Sequence, residues 1–128
     1  MKNFMNIEDQ LQLVVNALDD VRAQDIKAFN TSKLTGLFDR VVIASGNSNR
    51  QTKALADSVV DAAKKAGLHV LAYEGAETGE WVLVDLGDIV VHAMQPAIRD
   101  YYHLEEIWGE FPVELDLKTD QMPSLSDD

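Results

Sequence analysis

The hydrophobic positions of this chain follow two rhythms. Between residues 7 and 23, Ile7, Leu11, Val14, Val15, Leu18 and Val21 recur at the spacing that lines one side of a helix. Glu8 and Asp9 stand in its first turn, where a carboxylate faces the positive end of the helix dipole. Residues 25–29 alternate and predict a short strand, and 30–39 is rich in turn formers such as Thr31, Ser32 and Gly36. The run RVVIAS at 40–45 is short, β-branched and closed by Gly46, which predicts a buried strand. Ser48-Asn49-Arg50-Gln51 has the form of a capping box, in which the Ser and Gln side chains satisfy free backbone donors. The helix it opens carries Leu55, Ala56, Val59, Val60 and Ala63 as its apolar stripe, with Lys64 and Lys65 in the last turn and Gly67 as the stop. Residues 69–73 read as the next strand, and strand, capped helix, strand predicts a crossover with parallel pairing.

The second half changes rhythm. Residues 81–86 and 89–94 are two strands separated by Gly87-Asp88, a hairpin spacing in which the favoured Asp-Gly order is reversed. Pro96 suits the first position of a final helix that runs to Gly109, apolar around much of its girth through Ile98, Tyr101, Tyr102, Leu104, Ile107 and Trp108. The expected fold is α/β of the mixed α+β kind. Its mixed sheet has about five strands, with one parallel strand-helix-strand unit and one β-hairpin, flanked by helices. One domain is expected over residues 1–108. Residues 109–128 are expected to be an acidic, mostly disordered tail, with Phe111, Val113 and Leu115 available for docking.

Composition narrows the partners. A chain of 128 residues, 46% hydrophobic and 26% charged, has ordinary globular usage and enough length for one core. It has no cysteine, hence no disulfide, Cys-ligated zinc or thiol nucleophile. No apolar run approaches the ~20 residues of a membrane span, and the start lacks the apolar stretch of a signal peptide, so the cytoplasm is the expected location. Eleven Lys and Arg face 22 Asp and Glu, a net charge of −11. The tail holds −5 of it through six acids and Lys118, which leaves −6 on the body. Nucleic-acid binders carry a basic stripe to displace counterions, and none is present in the sequence. A basic protein is the partner this field favours, with little direct nucleic-acid contact.

Several constellations could carry chemistry. Gly46-Asn47-Ser48 lies between a strand and a helix N-terminus, where phosphates bind, yet neither a P-loop nor a GxGxxG fingerprint is present. A tight turn and a cap explain the same residues. Asp85 and Asp88 flank the hairpin turn and could hold Mg²⁺, but three residues across a turn need not face one ion. His69, His92 and His103 fall on separate elements without metal-type pairing; His92 is expected on a sheet face as a hydrogen-bonded side chain. Trp81, Tyr101, Tyr102 and Trp108 divide between core packing and binding anchors. Tyr101 and Tyr102 point about 100° apart on a helix, so one is expected in the core and the other outside.

The residues Gln24-Asp25-Ile26, the stretch from Asp39 through VIASGNSNRQ to Gln51, Glu74-Gly75, and WVLVDLGDIVVHAMQ at 81–95 form a pattern. Arg99, Tyr102, Leu104-Glu105 and Trp108 complete it, so that it covers residues 5–108. This pattern resembles the ribosomal silencing factor family, also called Iojap. The resemblance implies a nucleotidyltransferase-like fold without the catalytic signature, no catalytic residue, and neither metal nor cofactor. It implies a translation repressor that binds the large ribosomal subunit through a basic ribosomal protein, the one numbered fourteen. There it would block joining of the small subunit when nutrients are scarce. It further implies a homodimer when free, and it carries the family's contact surface onto Trp81, Leu86 and Tyr102. The tail and Asn30 depart from the pattern. Two other functions stand beside this one. The first is a nucleotidyltransferase-like enzyme using Ser48, Asp85 and Asp88, whose spacing departs from that superfamily's Gly-Ser turn and Asp-x-Asp pair. The second is a factor in assembly of the large subunit.

Overall fold

The computed structural model describes residues 5–109 and 111–115. The chain opens with α1 (Ile7–Asp20), capped by Asn6, whose side chain accepts from the Asp9 amide at 2.8 Å. It ends short of residue 23 because Arg22 adopts a left-handed φ of 63°, which turns the chain into β1 (Gln24–Asn30). There follow β2 (Arg40–Ser45), α2 (Asn49–Lys65), β3 (Ala72–Glu74), β4 (Trp81–Asp85), β5 (Ile89–Met94), α3 (Pro96–Tyr102), α4 (Glu105–Trp108) and β6 (Pro112–Val113).

The strands form one mixed sheet in the order β3-β4-β5-β2-β1-β6. β2 and β5 pair in parallel, and the other neighbours are antiparallel. The predicted helix α2 is present, but the strand after it does not lie beside β2. The hairpin of β4 and β5 occupies that place and sends β3 to the sheet edge. Burial decides this order. Every residue of β5, and all but the first of β2, is buried, whereas β3 exposes Tyr73 and Glu74. Strands buried on both faces belong at the centre of a sheet. β3 also starts later than predicted, because Leu68 is used to close α2. Its amide reaches the Ala63 carbonyl at 2.9 Å while that of Gly67 reaches Lys64 at 3.1 Å, the paired bonds of a Schellman stop. Tyr73 donates its hydroxyl to Asp57 and so ties this edge to α2.

Side chains alternate across the sheet. Val42 and Ala44 of β2, Ile89, Val91 and Ala93 of β5, and Val82 and Val84 of β4 join Leu18, Leu55 and Val59 in the larger core beneath α1 and α2. On the other face, Phe29, Val41, Ile43 and Met94 form a smaller core. It is closed by Phe38, Trp81, Ile98, Leu104 and Trp108 rather than by a long helix. Beyond the predicted strands, Pro112 and Val113 pair with Phe29 and Ala28, and Val113 and Leu115 pack on the larger core. Of the tail expected over residues 109–128, residues 110 and 116–128 lie outside the described residues.

Candidate functional site

The thinly covered face of the sheet is where the sequence's aromatic residues meet. The hairpin sets its register through a tight turn. The Leu86 amide donates to the Ile89 carbonyl at 2.9 Å, and Gly87 takes a φ of 92°. A glycine at the first central position suits a type II′ turn, which is why the Gly-Asp order works here. That register pairs Trp81 with Met94 and Leu83 with His92, so Trp81 and His92 lie diagonally on one face. The indole N–H of Trp81 donates to His92 Nδ1 at 3.0 Å. His92 is 8% exposed, and burial pushes its pKa down from 6.5 to about 4, so the imidazole is neutral, and the indole donor selects the tautomer in which Nδ1 is the acceptor.

Around this bond runs a ladder of six rings. Tyr101 meets Tyr102 edge-on at 4.9 Å, Tyr102 meets Trp81 at 5.0 Å, and Trp81 meets His92 at 5.9 Å. His92 stacks on Trp108 at 6.4 Å, and Trp108 meets Phe38 edge-on at 6.4 Å. These are ordinary separations for attractive ring pairs. The ladder runs from solvent into the smaller core. Trp81 and Leu83 also line a depression of about 320 Å³ with Glu74 and Gly75. Gly75 has a φ of 91°, and a Cβ there would stand 2.1 Å from the Trp81 carbonyl oxygen, so the loop passes this close because it carries no side chain.

The outer rungs depend on a bend. The final helix was expected to be continuous to Gly109. It breaks at His103, which takes a left-handed φ of 51°, so that α3 and α4 form an elbow. Arg99 holds it. Its guanidinium binds Glu105 twice, Nε to Oε1 at 3.0 Å and Nη2 to Oε2 at 3.1 Å, and Nη1 donates to Ser45 Oγ at 2.8 Å. Asp25 approaches Nη2 at 3.6 Å from a left-handed position, φ 52°, in an irregular stretch of β1. Arg99 is 4% exposed, so β1, β2, α3 and α4 are fastened around one desolvated cation.

A profile described as "Ribosomal silencing factor during starvation" matches residues 5–127. The ribosomal silencing factor of Chromobacterium violaceum is 53% identical over 105 residues, covering 82% of this chain and 86% of that protein. A crystal structure of protein CV0518 from Chromobacterium violaceum superposes with a TM-score of 0.81 at 48% identity, over 91% of this chain and 96% of that one. The mouse protein named mitochondrial assembly of ribosomal large subunit protein 1 is 31% identical over 101 residues, 77% of this chain and 44% of that protein.

The chain belongs to the ribosomal silencing factor family. That family is named for regulation of the ribosome and not for an enzyme. Its pattern in this chain divides by position in the fold. Trp81 and Tyr102 come together at the surface, with Tyr102 52% exposed. Leu86 does not join them. It is 3% exposed and belongs to the larger core, on the other side of the sheet. The expectation that one tyrosine of the pair is core does not hold: Tyr101 is 77% exposed and Tyr102 is itself more than half exposed, because α3 ends at Tyr102. Leu83, which periodicity could have found as Trp81 plus two, is the residue the sequence reading missed on this face.

The other candidates resolve into structure. Ser48 Oγ accepts from the Gln51 amide at 3.1 Å and Gln51 Oε1 from the Asn47 amide at 2.7 Å, so side chains occupy donors that a phosphate would need. Asp85 Oδ1 accepts from the Gly87 amide at 2.8 Å, and Asp88 Oδ2 lies 3.5 Å from the Gln10 Nε2 donor. No group of three His, Asp or Glu side chains among the described residues could hold a metal ion. His69 and Asp88 line a cleft of about 800 Å³ together with the exposed Leu71 and the edge of the buried Leu86. It lies where β2 and β5 begin, whereas open α/β sheets bind ligands where their strands end. No described helix is long and apolar enough to cross a membrane.

Proposed function

We propose that this chain represses translation by seating on the large ribosomal subunit through the basic ribosomal protein numbered fourteen. In that position it keeps the small subunit from joining when nutrients are limiting. The observation that carries this reading is the solvent end of the ring ladder, Trp81 against Tyr102, beside a depression bordered by Glu74. Large rings that are already packed lose little side-chain entropy on docking, and such residues dominate binding energy when a partner desolvates them. An acidic chain of net −11 complements a basic protein and is repelled by bare rRNA phosphates, which orients the encounter. Blocking requires volume and residence time rather than catalysis. When free, the chain pairs with a second copy that covers the same apolar rings, so dimer and ribosome complex exclude one another. The name of the mouse relative, an assembly protein of the mitochondrial large subunit, favours a second role on the same particle.

Sedimentation with separated ribosomal subunits tests the proposal. The protein should travel with the large subunit, and Trp81→Ala with Tyr102→Ala should weaken this by about tenfold or more while leaving the fold intact. Co-sedimentation of the folded double variant at the native level would refute the surface, and travel with the small subunit alone would refute the function. Light scattering should show a dimer that dissociates when the partner protein is added.

A further inference from the structure

We propose that His92 is a positioning residue for the contact surface: its Nδ1 holds the Trp81 indole in the orientation that meets the partner, while its ring carries Trp108 of the elbow. This rests on the ribosome-docking reading of Trp81 and Tyr102, and goes beyond it by assigning a role to a buried imidazole that touches no partner. Three observations support it. The Trp81 N–H to Nδ1 distance is 3.0 Å, and the imidazole stacks on Trp108 at an interplanar angle of 26°. Trp81 in turn supports Tyr102, with ring centroids 5.0 Å apart. His92 sits on β5, which is buried along its whole length, so its own position is fixed by the parallel pairing of Ile43 with His92. A single acceptor on a rigid strand therefore couples the hairpin to both halves of the elbow. Without it the indole nitrogen would be left half-buried and unpaired, and the ring would turn to find water. Docking would then have to restore the lost order.

The role requires an acceptor where Nδ1 stands, and this separates it from simple packing. His92→Leu keeps bulk and removes the acceptor; His92→Asn returns an oxygen near the Nδ1 position. The indole N–H resonance of Trp81, assigned against Trp81→Phe, should move upfield and exchange faster in His92→Leu and recover in His92→Asn. Large-subunit affinity should fall about tenfold in His92→Leu and be largely restored by Asn, as for loss of one hydrogen bond. Trp81→Phe reads the same bond from the donor side; in urea unfolding, where the indole's own contact with the partner does not enter, its loss and that of His92→Leu should be less than additive in a double-mutant cycle. It also serves if His92→Leu does not fold. Unchanged affinity in folded His92→Leu, additive losses in the cycle, or an indole resonance insensitive to position 92 would each overturn the proposal. If native protein ignores the large subunit, the docking reading falls by itself, while the indole resonance still decides whether His92 holds Trp81.

Discussion

His92 joins stability to pH. Unfolded, its imidazole takes a proton near 6.5; folded, burial delays this to about 4. Between those values the unfolded chain binds more protons, so the stability held above pH 6.5 is lost progressively as the pH falls, with no further loss from this group below about 4. The shift corresponds to about 3 kcal/mol. Urea titrations at pH 7, 5.5 and 4 should therefore show native protein losing more stability than His92→Asn over that window. Equal losses would mean that carboxylates alone drive the acid transition. Part of this residue's role was legible: alternation placed it on a sheet face with a hydrogen bond. Its partner was not, because the bond to Trp81 joins two strands through a diagonal that only the formed hairpin creates. The same limit applies to Tyr101 and Tyr102. Their angular separation is a property of any helix, but that both stand exposed depends on where the helix stops.

Elements show the balance between local and non-local causes. α2 starts at its predicted cap and ends at its predicted glycine because Ser48, Gln51 and Gly67 act within a few residues of themselves. Gln51 differs in one detail. Its Oε1 receives the Asn47 amide rather than that of Ser48, and its Nε2 donates to the Val21 and Arg22 carbonyls at 3.2 Å, so the cap also anchors the end of α1. The α3–α4 elbow is the opposite case. Periodicity ran unbroken across it, and the break is held by Arg99 reaching Glu105, Ser45 and Asp25 from other parts of the chain. Arg99→Met should cost about 3 kcal/mol in urea unfolding, because removing one member of a buried ionic cluster leaves its partners unpaired. It should also increase fluorescence change at Trp108 before global unfolding, as the elbow loosens first. Loss of stability without any early change at Trp108 would show that the cluster fastens the sheet and not the elbow.

For the whole molecule, charge and shape act together. A net of −11 should make association with the proposed partner, the basic ribosomal protein numbered fourteen, fast at low salt, and raising salt should slow the on-rate by about tenfold or more. Trp81→Ala should instead raise the off-rate, since rings packed at the centre of an interface act on residence time. Stopped-flow binding separates the two, and a salt-independent on-rate would remove the charge argument. By itself, the amino-acid sequence determined the elements with local causes: the α1 and α2 faces, the capped start of α2, the central strands and the glycine turn of the hairpin. It also determined the acidic field and, through a long motif, the family. Tertiary structure decided the placing of β5 beside β2, the bend at His103, the assignment of Leu86 to the core, and the meeting of Trp81, His92 and Tyr102 on one face. The physical reason is range. A cap, a stop or a turn is settled by neighbours a few residues apart, whereas burial and side-chain pairing depend on which surfaces the folded chain leaves in contact with water.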